Sequence, residues 1–241
     1  MFEDVVVAAQ FRAFHAGVSD ALLDEAARKA GCPSGIGRLS LISDEMLARI
    51  CARLGLREGS RVLDVGCGRG FFERWLHFAG HGALATGIDR APDAIAAGRE
   101  HCPGMEFIAA DYRTHAFPRR FDAVVALELA ASGKFGAPLL SMPAHVLRDG
   151  GAFCMTAASL DGRHEQRLSA AQEVLRARFS DVELVDATHE AGEFARRLYG
   201  ACLQIDCWTR EIRGRIVEQA DAVLQAIDRG DFHYAIAFGR R

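Results

Sequence analysis

The chain has 241 residues, half of them hydrophobic and a quarter charged, with a formal net charge of −3, enough apolar material for one substantial core. Acidic and basic residues are interspersed, which argues against a nucleic-acid surface, since that needs clustered Lys and Arg. Seven scattered cysteines with no C-x-x-C pair argue against a disulfide framework or a metal site, and the start MFEDVVVAAQFRAFH lacks the pattern of a signal peptide.

Helices are expected first. Ser19 and Asp20 can cap ALLDEAARKA, which Gly31-Cys32-Pro33 stops, and Ser43-Asp44 opens DEMLARICARLG, with Met46, Leu47, Ile50 and Leu54 at helical spacing. From residue 61 short apolar runs alternate with helical stretches. RVLDV (61–65), ALATGID (83–89), MEFIAAD (105–111) and FDAVVALE (121–128) read as strands, with helices at 71–79 and 91–101 between the first three. A helix near 137–147 leads through the turn Arg148-Asp149-Gly150-Gly151 to the strand 152–158. A helix at 163–178, a strand at 182–188, a long helical region over 190–228 and a last strand at 232–238 complete the chain. Strands apolar on both faces and separated by helices indicate a covered, doubly wound parallel sheet. The expectation is one domain over 1–241: a helical N-terminal extension (1–50) forming a lid, and an α/β core over 58–241 with a helical cap at about 189–229.

The segment that carries chemistry is Val62-Leu63-Asp64-Val65-Gly66-Cys67-Gly68-Arg69-Gly70. A buried strand ends in an acid, then in a glycine-rich turn that opens into a helix. Glycines permit tight turns and close approach of a ligand, and the helix N-terminus offers free N–H groups to an anion. Asp89, Asp111 and Glu128 stand near the ends of the next three strands, at the carboxyl edge where open α/β sheets bind ligands.

These motifs, in this order over roughly residues 60–160, resemble those of class I S-adenosylmethionine-dependent methyltransferases. VLDVGCGRG is similar to the family's first motif, GID to its ribose-binding acid and AADY to its adenine-edge acid. FDAVVALE and LRDGGAF resemble the fourth-strand motif and the turn before the fifth strand, and GDFHYAIAFGRR the family's final antiparallel strand. The resemblance implies a seven-stranded, mostly parallel sheet with an antiparallel last strand. It also implies that Gly66, Cys67, Gly68 and Gly70 cradle the methionine end of the cofactor while Asp64 orients its amino group. Asp89 and Arg90 would meet the ribose, Asp111 and Tyr112 the adenine, and Leu127 and Glu128 would lie near the sulfonium.

The implied reaction is methyl transfer to an O or N atom, or to carbon, of a small-molecule metabolite, with S-adenosylhomocysteine as product. If the acceptor must lose a proton, His15, His189 and Glu128 are the candidate bases. Two departures from the family's pattern bear on the acceptor: LAASGKF follows the fourth strand where relatives often carry a His, and Phe11, Phe14 and His15 stand where many carry a tyrosine. A nicotinamide-dependent oxidoreductase shares the glycine turn, but Phe71 occupies the place of its third glycine. A related fold that uses the sulfonium without transferring its methyl group is the other alternative. A cytoplasmic monomer or homodimer is expected, with no metal, nucleic-acid partner or membrane contact.

Overall fold

A computed structural model of the chain describes residues 20–37, 40–129, 145–162, 172–206 and 209–241. Helix α1 (Asp20–Lys29) and helix α2 (Asp44–Leu54) precede strand β1 (Arg61–Val65). Then come α3 (Phe71–Phe78), β2 (Leu84–Asp89), α4 (Pro92–His101), β3 (Glu106–Ala109), β4 (Phe121–Ala126) and β5 (Leu147–Ser159). The chain closes with β6 (Ser180–Asp186), α5 (Thr188–Leu203), α6 (Arg210–Arg229) and β7 (His233–Arg240).

The seven strands form one sheet in the order β3-β2-β1-β4-β5-β7-β6. Strands β1 to β5 pair in parallel, and β7 lies antiparallel to both β5 and β6. The order reverses between β1 and β4, where Asp64 stands opposite Val125. That switch point opens a crevice at the carboxyl ends of both strands.

Alternation along the strands divides the core into two layers. Val62, Ala85, Ala123, Val125 and Cys154 face α2, α3, α5 and α6 through Ile50, Phe72, Tyr199 and Ala220. Leu63, Val65, Ile88, Val124 and Phe153 face the other way, onto Leu147, Leu175 and Phe179. Fully burying one such Leu, Ile or Phe contributes about 1.5–3 kcal/mol, so the sheet is well anchored on both faces.

Helix α1 sits in a seam of its own. Leu23, Ala26 and Ala27 pack on Phe194, Leu198 and Cys202 of α5. The segment after α1 returns close to it, with a Cβ on Gly37 falling 2.2 Å from Leu23 Cβ. Only glycine fits there.

Several expected boundaries move. The turn 148–151 lies inside β5, because Gly150 N donates to Arg241 O and Arg241 N to Gly151 O. The chain's last residues thus extend the sheet over the presumed turn. The expected helical region 190–228 is two helices, the second capped by Thr209, whose Oγ1 accepts from Ile212 N. Strand β3 ends at Ala109 and β4 at Ala126, so Asp111 and Glu128 stand two residues past their strands. Strand β6 ends at Asp186, two residues before the expected end. The helix near 137–147 and that at 163–178 fall largely outside the described residues, as do Ser19, Phe11, Phe14, His15 and Trp208.

Candidate active site

The turn after β1 has a left-handed backbone at alternate positions: Gly66, Gly68 and Gly70 have φ of 76°, 56° and 73°. L-residues avoid that region, which is why the motif spaces glycines every second residue. Gly66 N donates to Ile88 O at 2.8 Å and Gly70 N to Cys67 O at 2.9 Å, tying the turn to β2. A Cβ on Gly66 would lie 2.5 Å from Leu129 Cδ1, and one on Gly70 2.6 Å from the Phe107 ring. Gly70 then caps α3 without a side-chain hydrogen bond, and the N-terminus of that helix opens directly from the turn.

Asp89 is bound into this turn. Its Oδ2 accepts from Gly68 N at 3.0 Å and its Oδ1 from Ala91 N at 2.8 Å. The acid at the end of β2 is thereby fixed against the glycines. Asp64, 1% exposed, leaves Oδ2 without a hydrogen-bond partner. Burial raises its carboxyl well above the usual range, and neighbouring Glu73 and Asp89 add to the effect. Asp111 accepts from both the backbone N and the guanidinium of Arg113, which holds its carboxyl below the usual range. Arg90 Nη1 stands 4.0 Å from the same carboxylate, and Tyr112 is half-buried against the sheet.

Across the switch point, Glu128 takes a φ of 57°, unusual for a residue with a side chain. Its amide donates to Thr156 Oγ1 at 2.8 Å. Its Oε1 accepts from Leu41 N at 2.8 Å and from the Tyr234 hydroxyl at 2.9 Å. Tyr234 is 1% exposed, and burial, then the Glu128 charge, pushes its hydroxyl well up. Three distant parts of the chain meet on this one carboxylate: β4, β7 and the segment before α2. Leu127 is buried beside it.

A second cluster joins α1 to the glycine turn. Asp20 accepts from Arg69 Nε at 3.0 Å and Nη2 at 2.6 Å, and lies 2.9 Å from His101 Nε2. Arg74 reaches Asp24 at 3.2 Å. Asp24 also accepts from Gly37 N at 2.6 Å.

The structure therefore brings together Asp64, Gly66, Cys67, Gly68, Gly70, Asp89, Leu127 and Glu128, with Arg90, Asp111 and Tyr112 at the adjoining edge. His189 is exposed in the first turn of α5, beside Thr188, whose hydroxyl accepts from Tyr234 N. His101, exposed at the end of α4, meets Asp20. Asp122 accepts from Arg61 N at 2.7 Å and pairs with Arg148. Sequence reasoning did not find Glu73, Asp20, Leu41 or Tyr234. A signal existed for two: Glu73 interrupts the apolar face of α3, and Tyr234 lies on the buried face of β7 with Ile236 and Phe238, where its hydroxyl needs a partner.

Residues 62–151 match the family model described as "Methyltransferase domain". Over that stretch the chain is similar to a methyltransferase domain. The ubiquinone biosynthesis O-methyltransferase of Xylella fastidiosa (strain 9a5c) is 40% identical over 101 residues, 39% of this chain and 39% of that protein. That of Alkalilimnicola ehrlichii is 30% identical over 180 residues, 72% of this chain and 65% of the relative. The chain thus spans less than two thirds of the curated relatives it matches. A solved phosphoethanolamine N-methyltransferase 2 from Haemonchus contortus, in complex with phosphomonomethylethanolamine and S-adenosylhomocysteine, superposes with a TM-score of 0.74 at 19% identity. It covers 93% of this chain and 60% of that one, and it shows the fold. Among the described residues no helix is long and apolar enough to cross a membrane.

Proposed function

We propose that this chain transfers a methyl group from S-adenosylmethionine to a small-molecule metabolite. The observation that carries the reading is the turn itself: three left-handed glycines with Asp89 hydrogen-bonded to the middle one and a buried, unpartnered Asp64 oxygen at their base. That arrangement fits an adenosyl cofactor with a charged amino-acid end. The first-turn N–H groups of α3 would receive its carboxylate, Asp64 would face its ammonium side, Asp89 its ribose, and Asp111 and Tyr112 its adenine.

S-adenosylmethionine supplies a methyl group on a sulfonium already activated for displacement. The residues of this chain have to hold the acceptor in line and keep water out, and orientation alone is worth roughly 7–11 kcal/mol of barrier. In this reading α1 and the segment leading into α2, with α5 and α6, form the lid over the acceptor, and Leu41 joins that lid to Glu128. Glu128 stands where an acceptor's proton would be taken, with His15 and His189 as the other candidates. The O-methyltransferase relatives favour an oxygen acceptor such as a phenol or carboxylate. The enzyme acts in the cytoplasm, as a monomer or homodimer, without a nucleic-acid partner.

The test is release of S-adenosylhomocysteine when the purified protein and S-adenosylmethionine are incubated with phenols, carboxylic acids and amines. Turnover with one of these classes is expected. Methylation of tRNA or DNA alone, or hydride transfer from a nicotinamide instead, would overturn the proposal.

A further inference from the structure

Glu73 is the third residue of α3 and is fully buried. Its carboxyl fills a gap left by two glycines. A Cβ on Gly87 of β2 would lie 2.7 Å from its Oε1 and 2.7 Å from Cys67 Sγ, and one on Gly70 would lie 3.4 Å from its Oε2. The group therefore sits directly beneath the glycine-rich turn. Neither oxygen has a hydrogen-bond partner, and the same is true of Asp64 Oδ2.

The groups around this carboxyl are acids and thiols: Asp64 on β1, Cys67 in the turn, Asp89 at the end of β2 and Cys102 after α4. Arg74, next on the same helix, is engaged by Asp24 and Asp20. Burying an unpaired carboxylate costs several kcal/mol, and two such groups in one dry site do not both stay charged without a cation. Burial pushes Glu73 up to about 8, against a smaller opposing pull from its own backbone amide. The ligand-free protein at neutral pH thus stores a proton at the base of the site.

We propose that Glu73 is a positioning residue for the cofactor, and that a cationic cofactor at the Gly66–Gly70 turn displaces one proton from the Asp64–Glu73 pair to solvent. This rests on the S-adenosylmethionine reading above. The balance is simple: the cofactor's ammonium enters against Asp64, one proton leaves the pair for solvent, and the freed carboxylate balances the ammonium charge. The thioether product keeps that ammonium, so substrate and product displace the proton alike.

Calorimetric titration of the protein with S-adenosylmethionine, S-adenosylhomocysteine and 5′-methylthioadenosine, which has no amino-acid end, at pH 7 in phosphate and in Tris, reads the proton directly. Release of about half to one proton is expected with the two compounds that carry the ammonium and clearly less with 5′-methylthioadenosine, with the difference lost in Glu73→Gln. The wild-type protein provides a second readout that needs no variant: the release fades by pH 9.5. Equal heats in both buffers, or the same release from Glu73→Gln, would overturn the proposal while leaving the cofactor assignment intact. Absence of any binding heat would overturn the cofactor assignment itself.

Discussion

Replacing Tyr234 by Phe removes one hydroxyl and keeps the ring, so it isolates what that hydroxyl gives to Glu128 and Thr156. The hydroxyl is buried and donates to Glu128 Oε1 at 2.9 Å, an oxygen that also accepts from the Leu41 amide. A hydrogen bond to a charged group contributes about 1.5–3 kcal/mol. For a chain of this length each kcal/mol is worth about 2–4 °C of melting temperature, so a drop of roughly 3–12 °C is expected by differential scanning calorimetry. Glu128→Gln keeps an acceptor oxygen for both donors but removes the charge, and should cost less. The double variant then gives the coupling between the two side chains, expected near 1 kcal/mol or more because they touch. A melting temperature within a degree of wild type, or purely additive losses in the double variant, would refute the role given to Tyr234.

Three further outcomes follow from the same geometry. Asp89→Ala frees the Gly68 and Ala91 amides and removes the acceptor at the end of β2, and is expected to weaken S-adenosylmethionine binding by about 1–3 kcal/mol; unchanged affinity by calorimetry would remove Asp89 from the site. Gly87→Ala forces a Cβ against Glu73 and Cys67, 2.7 Å from each, and should cost about 1–3 kcal/mol by overpacking, read as a lower urea midpoint; an unshifted midpoint would contradict the packing described. The ligand-free protein should also lose stability as pH rises. Glu73 is raised from 4.5 to about 8 in the fold, so the native state binds the extra proton between those values. The slope is up to about 1.4 kcal/mol per pH unit, levelling above pH 8. Urea unfolding at pH 6, 7, 8 and 9 measures it, and a slope that persists in Glu73→Gln would place its origin elsewhere.

Much of the fold was legible because the parallel core obeys local rules. β1 was delimited to the residue, and α3, β2 and α4 to within one, since buried runs and glycine or proline punctuation mark them. The boundaries that moved depend on partners far away in sequence. β5 begins at Leu147, which pairs with Phe121 of β4, and Gly150 and Gly151 bond Arg241; nothing in Arg148-Asp149-Gly150-Gly151 signals either. The glycine turn and the acids Asp64 and Asp89 could be read from spacing, because backbone conformation fixes them. Glu128 could be placed but not its partners, since Leu41 and Tyr234 approach it across 87 and 106 residues of chain. The Asp20–Arg69–His101 cluster was hidden for the same reason: each member looks like an ordinary surface charge until α1 folds over the turn.

Thermal-shift titration of the purified protein with S-adenosylmethionine, S-adenosylhomocysteine, NAD and NADP tests the central claim most directly. At about 100 times its dissociation constant a ligand stabilises by roughly 2.7 kcal/mol, or about 5–10 °C for a chain of this length. The account predicts that shift with the two adenosyl compounds and none with the nicotinamides. A shift with NAD or NADP alone would contradict it and give the Gly66–Gly70 turn and Asp89 to a dinucleotide.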